Sequence, residues 1–135
     1  MNRALSYLTC TTALLLSTPG CSDTTSPKAC GGNVQVAVLR QPNPIFTWSP
    51  ACGVSSFQIV TVPSAPGAME ESVWGFSVPE QRPIGPAVRY GIAPAGATVW
   101  TQPRALVVGS TYRVRVSQTV GLDVEVGSGE RVFTR

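Results

Sequence analysis

The sequence predicts an all-β protein, a single sandwich of two antiparallel sheets with about seven short strands. Charged residues are only 13% of the 135 residues, while 13 glycines and 12 prolines favour turns over long helices. No long proline-free window in the second half has the i, i+3, i+4 apolar spacing of an amphipathic helix. Several short segments instead alternate apolar and polar residues with a period of two. The length allows one domain.

Four strands are predicted in the first half of the domain, separated by turns that are mostly rich in proline. They are expected at residues 33–40, 45–50, 54–62 and 71–78. On each strand the apolar side chains share one face. These side chains are Val34, Val36, Val38, Phe46, Trp48, Phe57, Ile59, Trp74, Phe76 and Val78.

The second half begins with a proline-rich connection at residues 79–86, which belongs in a loop or at a sheet edge. A brief edge strand is expected at 87–90 and a further strand at 96–102. Residues 121–129 are predicted to form a long hairpin tip whose Leu122, Val124 and Val126 extend the ladder on either side. The last strand is expected at 131–134.

The clearest strand pattern lies in residues 106–116, where a turn at Gly109 and Ser110 precedes an alternating run. Even positions from Tyr112 to Val116 are apolar and odd positions are polar, so one face is core and the other meets water. Tyr112, just after a Leu-x-x-Gly turn, resembles the tyrosine corner of immunoglobulin-like sandwiches. The resemblance implies that the Tyr112 hydroxyl bonds backward to the preceding crossover.

Trp48 carries a second resemblance. It is followed by Ser-Pro and a short loop into the strand at 54–62, and this arrangement is similar to the second and third strands of fibronectin type III domains. The resemblance implies that Trp48 sits at the centre of the core and that residues 30–135 form a fibronectin type III-like sandwich. The proline-rich middle portion, residues 63–103, is longer than the usual crossover of that family.

Residues 1–20 have the organisation of a secretory signal peptide, with Arg3 before an apolar run and small, turn-forming residues after it. Residues 16–21 resemble the lipobox of bacterial lipoproteins, whose cysteine is acylated and becomes the new N-terminus. The resemblance implies lipidation at Cys21 and a membrane anchor in the cell envelope. The resemblance further implies sorting to the outer rather than the inner membrane, because Ser22 and not aspartate follows the cysteine, although Asp23 one place later leaves the inner membrane as an alternative. The alternative is ordinary cleavage that leaves a free thiol at Cys21.

Residues 21–29 are then a flexible tether, because their polar composition buries too little apolar area to order itself. Cys30 and Cys52 remain as the only cysteine pair in the folded region. In an oxidising compartment we expect them to form a disulfide. The two cysteines are 22 positions apart, and closing such a loop stabilises the fold by about 3 kcal/mol. A zinc site is the poorer alternative, since two thiolates under-coordinate the ion.

The composition argues against several functions. The chain has no histidine, the commonest general base and zinc ligand. The formal charge of +3 is spread without a basic cluster, so we expect no nucleic-acid partner. Asp123 and Glu125 are predicted to be solvated hairpin residues rather than a weak calcium site. We therefore expect no enzyme, no catalytic residue, no cofactor and no metal ion.

One candidate surface remains, formed by Arg113 and Arg115 with Trp74 and Trp100. The guanidinium groups could stack on the indoles as a cation–π ladder, as on some fibronectin type III domains. The tryptophans could instead form an aromatic platform for a sugar or a partner strand. The simplest alternative is that both tryptophans are core and the arginines only solubilise the sheet.

We expect a non-catalytic binding or structural module of the envelope, with an envelope protein or a glycan as its partner. A small carbohydrate-binding module is the alternative, and it needs two or more tryptophans coplanar and exposed on one face. An enzyme of unfamiliar type would need a pocket with converging carboxylates.

Overall fold

The computed structural model describes residues 26–39 and 43–135. The predicted signal peptide, Cys21 and most of the tether lie outside these ranges. The described residues form strands, turns and loops but no helix, which confirms the all-β prediction. The strands are β1 (Gly32–Asn33), β2 (Gln35–Leu39), β3 (Ile45–Ser49), β4 (Ser56–Thr61), β5 (Ser72–Ser77), β6 (Val88–Arg89), β7 (Thr98–Thr101), β8 (Thr111–Val120) and β9 (Val124–Thr134). It follows that this part of the chain contains no helix capable of crossing a membrane.

The strands form two sheets. The larger sheet has six strands in the order β1-β9-β8-β4-β5-β7, and the smaller has three in the order β2-β3-β6. Only β1 and β9 pair in parallel among the described strands. Side chains that alternate along β3, β4, β5 and β8 meet between the two sheets, which is the two-layer arrangement of a β-sandwich.

The strand predicted at residues 33–40 is divided between the two sheets. β1 pairs with β9 in the larger sheet, whereas β2 pairs with β3 in the smaller one. The change of sheet occurs at Val34, whose amide donates a hydrogen bond of 2.9 Å to the Ser128 carbonyl. Val34 is 6% exposed, so the crossing point is itself part of the core.

The hairpin tip predicted at residues 121–129 is too long. The turn occupies residues 121–123, and β9 continues without a break past Gly127 and Gly129. These glycines are needed for close approach: a Cβ at Gly127 would lie 2.8 Å from the Cys30 carbonyl oxygen, and one at Gly129 would overlap the Val34 carbonyl. They make room for the N-terminal segment rather than for a turn.

The core is a cluster of aromatic rings between the sheets. Phe57 on β4 stacks on Phe76 with ring centroids 5.3 Å apart, and it meets Trp74 and Phe46 edge-on. Trp48 is 3% exposed, and its indole N–H donates to the Cys52 carbonyl at 2.8 Å. Burial of these large rings is the main source of stability in such a domain.

Two predicted local contacts are confirmed. Cys30 and Cys52 form a disulfide, which joins the beginning of the domain to the loop after β3. The Tyr112 hydroxyl accepts a hydrogen bond of 2.8 Å from the amide of Val107, five residues upstream. The tyrosine therefore fixes the turn that leads into β8.

Candidate binding surface

The face of the six-stranded sheet that points away from the smaller sheet, here called the outer face, is built from rows of side chains that run across the strands. One row presents a hydroxyl group from each of five neighbouring strands. Its members are Thr98, Ser77, Ser56, Ser117 and Ser128. Because these side chains are short, they make this part of the sheet a polar surface with little relief.

The next row combines an aromatic end with a charged end. Gln58 lies opposite Gly75 on one side and opposite Arg115 on the other, and Arg115 lies opposite Glu130. The row ends at Trp100, which is 48% exposed and occupies a bulge in the pairing of β5 with β7. A Cβ at Gly75 would overlap Nε1 and Cε2 of the Trp100 indole, so the absence of a side chain there lets the indole approach the backbone closely.

Arg113 and Arg115 belong to an ion-pair network with two glutamates. Glu70 binds both arginines, with Oε1 at 2.5 Å from Nη1 of Arg113 and Oε2 at 2.8 Å from Nη1 of Arg115. Glu130 lies 3.4 Å from Nε of Arg115 and 3.8 Å from Nε of Arg113. Two positive and two negative groups balance, so this part of the outer face carries no net charge.

The network holds a loop across the outer face. Glu70 comes from the connection between β4 and β5, and Glu71 beside it pairs with Arg104 at 2.8 Å. On the same face, Val60 pairs with Arg113 in the strand register, is only 3% exposed and does not belong to the main core cluster. An apolar side chain is therefore buried on the outer face next to the ion pairs.

Beside the network, the outer face has an open groove of about 550 Å³. Ser56, Gln58, Arg115, Ser117 and Glu130 are among the residues that line it. The lining offers hydroxyl, amide, guanidinium and carboxylate groups within one shallow depression. Such a mixture can hydrogen-bond a polar ligand in several orientations.

The structure separates the residues proposed for the binding surface. Arg113 and Arg115 lie on the outer face, but their guanidinium groups contact carboxylates rather than indoles. Trp100 is half exposed on the same face, whereas Trp74 is 1% exposed and packs against Phe57 in the core. Placing Trp74 on a surface is therefore wrong, because its strand turns that side chain toward the smaller sheet. Cys21 lies outside the described residues.

Sequence reasoning missed Glu70, Glu130, Gln58 and Gly75 as parts of this surface. Glu130 had only part of a signal, because a short turn at residues 121–123 by itself places Gly129 opposite Arg115. The bulge between the pairs Thr119–Glu125 and Gln118–Gly127 then shifts Glu130 into that position. Glu70 had none, since its partners lie on a strand far along the chain. Trp100 was identified as a candidate, but its support by Gly75 depends on the pairing of β5 with β7.

Tyr90 lies where the two sheets meet, close to Trp74, with ring centroids 5.3 Å apart. Its hydroxyl donates a hydrogen bond to the Arg104 carbonyl. Burial is the main cause that raises the pKa of Tyr90 to about 12, and the neighbouring Tyr112 adds to it. This residue links the core to the loop that carries Arg104.

No protein-family model matches the chain, and comparisons with curated proteins and with solved structures found no match. Within residues 26–39 and 43–135, no group of three or more histidine, cysteine, aspartate or glutamate side chains is arranged to hold a metal ion. The argument for function therefore depends on the sequence and on the geometry described above.

Proposed function

We propose that this protein is a cell-envelope lipoprotein whose folded part is a fibronectin type III-like module with a binding role. The strand arrangement supports the module. β2, β3 and β6 correspond in order to strands A, B and E of an immunoglobulin-like sandwich, and β5, β4, β8 and β9 correspond to C′, C, F and G. On this assignment Tyr112 stands at the beginning of strand F, where a tyrosine corner belongs.

The module would differ from immunoglobulin domains in two ways. Its disulfide links the start of the domain to the loop after strand B, rather than joining strands B and F. The larger sheet also has two additional edge strands, β1 and β7. β7 carries Trp100, so one of these additions supplies the exposed aromatic residue of the outer face.

The single observation that carries the envelope assignment is the disulfide between Cys30 and Cys52. Disulfides form and persist in exported proteins and are rare in the reducing cytosol. Export agrees with the signal-peptide organisation of residues 1–20 and with the lipobox-like segment ending at Cys21. Acylation of Cys21 would keep the module within a short tether of the membrane.

The binding role is assigned to the outer face. The inner face of the same sheet is occupied by the core, whereas the outer face presents polar groups and an indole to solvent. Exposed aromatic side chains beside satisfied polar groups are common where proteins bind ligands or partners. Because the guanidinium groups of Arg113 and Arg115 are paired with carboxylates, these arginines are better suited to positioning a ligand than to taking part in a chemical reaction.

Lipidation is tested with the full-length protein expressed in a bacterial host. We expect the native protein in the membrane fraction and its N-terminal peptide to carry acyl chains on Cys21 by mass spectrometry. Cys21→Ser should move the protein out of that fraction, whereas Ser22→Ala, the matched control, should leave the protein anchored. A native protein that is soluble, with an unmodified Cys21, would contradict the proposal.

A carbohydrate-binding role is the second candidate, and the setting of Trp100 favours it. The Nε1 side of its indole lies against Gly75 while the residue stays 48% exposed, so part of a flat apolar ring is open for a sugar to stack on. Gln58 and the hydroxyl row provide hydrogen-bonding groups nearby. The platform has a single tryptophan, because Trp48 and Trp74 are buried.

The sugar hypothesis is tested by screening the protein against envelope and surface glycans and then measuring affinity by calorimetry. For any glycan that binds, Trp100→Ala should weaken binding by about tenfold or more, whereas Trp100→Phe should retain part of it. Equal affinities of the native protein and Trp100→Ala would exclude the indole as the platform.

A further inference from the structure

The hairpin between β8 and β9 ends in a group of exposed apolar side chains. Leu122 at the turn is 97% exposed, and the flanking residues Val120, Val124 and Val126 are 40%, 58% and 37% exposed. The three valines belong to β8 and β9, the two longest of the described strands, and Leu122 lies in the turn between them, so the group stands at the end of a rigid support. Contiguous exposed apolar residues of this kind mark contacts with proteins or membranes.

The same end of the domain receives the tether. β1 runs parallel to β9, with Gly32 opposite Gly127, so Cys30 lies beside the beginning of β9 and not beside its end. The turn precedes Gly127 by about five residues and Cys30 precedes Gly32 by about two, so the tip extends roughly 10 Å beyond Cys30. The apolar tip therefore projects toward the side from which the N-terminal segment arrives.

We propose that this tip, residues 120–126, docks on the lipid bilayer in which Cys21 is anchored. The inference rests on the proposed lipidation. A chain from Cys21 to Cys30 reaches at most about 30 Å when fully extended, which keeps the tip close to the membrane surface. Because the module is tethered to the bilayer, docking of the tip is an intramolecular event. A small apolar contact of one leucine and a few valines is then sufficient to populate the docked state.

The charges at this end indicate the kind of lipid surface. Asp123 and Glu125 lie in the hairpin itself, and the Glu80 carboxylate accepts a hydrogen bond of 3.0 Å from the Gly121 amide. The nearby segments contribute Lys28 and Arg82. Acidic groups slightly outnumber basic ones, and no polybasic patch is present in the described part of this end. The tip therefore suits a zwitterionic surface rather than an anionic one.

Docking would set the orientation of the module. The turn that precedes β8, with Val107 and Val108, lies at the opposite end of the sheet, as does the C-terminus of β9. The strands would stand away from the bilayer, and the outer face with Trp100 would point sideways into the surrounding space. The groove shares Glu125 with the tip, whereas its other lining residues lie outside the tip, so a ligand could reach that part of the groove without displacing the lipid contact.

The experiment uses full-length acylated protein in phosphatidylcholine vesicles, with and without bromine atoms near the headgroup end of the acyl chains. Leu122→Trp places a fluorescent reporter at the tip, where a nearly fully exposed site tolerates the larger ring. Val108→Trp is the matched control, because Val108 is 80% exposed at the far end. Emission of the native protein is subtracted to remove the three natural tryptophans.

We expect brominated lipid to quench more than about half of the added emission of Leu122→Trp and to leave that of Val108→Trp almost unchanged. Quenching should be weaker when phosphatidylglycerol replaces part of the phosphatidylcholine, and stronger quenching there would overturn the zwitterionic preference. Equal lack of quenching in both variants, with acylated protein on the vesicles, would overturn docking and leave lipidation intact. Protein that lacks acyl chains and does not sediment with vesicles would overturn lipidation and docking together.

Discussion

The two faces of β8 show how one strand serves two purposes. On the inner face, Tyr112, Val114 and Val116 are at most 3% exposed and pack in the core. On the outer face, Arg113 and Arg115 are partly exposed and bind glutamates. Apolar burial dominates stability, whereas ion pairs at the surface contribute little. The outer face is therefore the side where sequence can change for binding without unfolding the domain.

The largest difference between the faces is expected at neighbouring residues of β4. Phe57 is fully buried and contacts Phe46, Trp74 and Phe76, so Phe57→Ala should destabilise the protein by about 3–5 kcal/mol through lost burial and a cavity. Gln58→Ala, on the outer face one residue later, should cost less than about 1 kcal/mol. Urea denaturation followed by tryptophan fluorescence measures both. Similar losses of stability in the two variants would show that the inner and outer faces contribute equally to the free energy of unfolding.

The disulfide adds a constraint that belongs to neither face. Replacing Cys30 and Cys52 together with serine should lower the free energy of unfolding by about 3 kcal/mol, because the open loop gains entropy in the unfolded chain. Reductant should lower the stability of the native protein by a similar amount. It should leave the double variant unaffected, which serves as the control. If reductant leaves the free energy of unfolding of the native protein unchanged, the disulfide does not stabilise the fold by constraining the unfolded chain.

The inner face could be predicted from the sequence because its signal is local. Alternation alone identified Phe46, Phe57, Phe76 and Val114 as core, and the turn before Tyr112 predicted its backward hydrogen bond. The disulfide followed from elimination among the cysteines. Each of these inferences needed only neighbouring residues or a count.

The outer face and the long hairpin could not be predicted in the same way, because they depend on long-range register. Gly127 and Gly129 suggested a turn. They lie within β9 instead, where the N-terminal segment passes so close that a side chain would not fit. Glu70 reaches Arg113 only after β4, β5 and β8 have paired. Trp100 is supported by Gly75 through a bulge that leaves no mark in the sequence of either strand.

Tyr90, which lies where the two sheets meet, should make the protein less stable at high pH. Its pKa is raised to about 12 mainly by burial, against 10.0 for an ordinary tyrosine. Between these values the unfolded state releases the proton and the folded state keeps it, so the stabilising effect is complete below pH 10 and is lost as pH rises through 12. The full difference corresponds to about 2.7 kcal/mol, and because the ring is only partly buried, solvent screening reduces the expected loss to about 2 kcal/mol or less. Tyr90→Phe, unfolded at the same pH values, should show a shallower decline, and an equal decline would exclude Tyr90 as the cause.

The smallest effect is expected for the ion-pair network of the outer face. Glu70→Gln keeps the side-chain shape but removes the charge that binds Arg113 and Arg115, and we expect a loss of no more than about 1 kcal/mol. The loss should shrink as salt is added, because solvent ions screen partly exposed pairs. Glu71→Gln is the matched control, since Glu71 is 67% exposed and pairs with Arg104, which is 51% exposed. Its effect should be smaller still.

A salt-independent loss of about 3 kcal/mol or more in Glu70→Gln would contradict this division of roles. It would mean that the loop held by Glu70 is needed to keep Val60 covered, and that the outer face has an apolar core of its own. The ion pairs would then act as clamps on that contact, and variation for binding would be confined to the hydroxyl row and Trp100. The salt dependence of this one variant therefore decides how much of the outer face is free for a ligand.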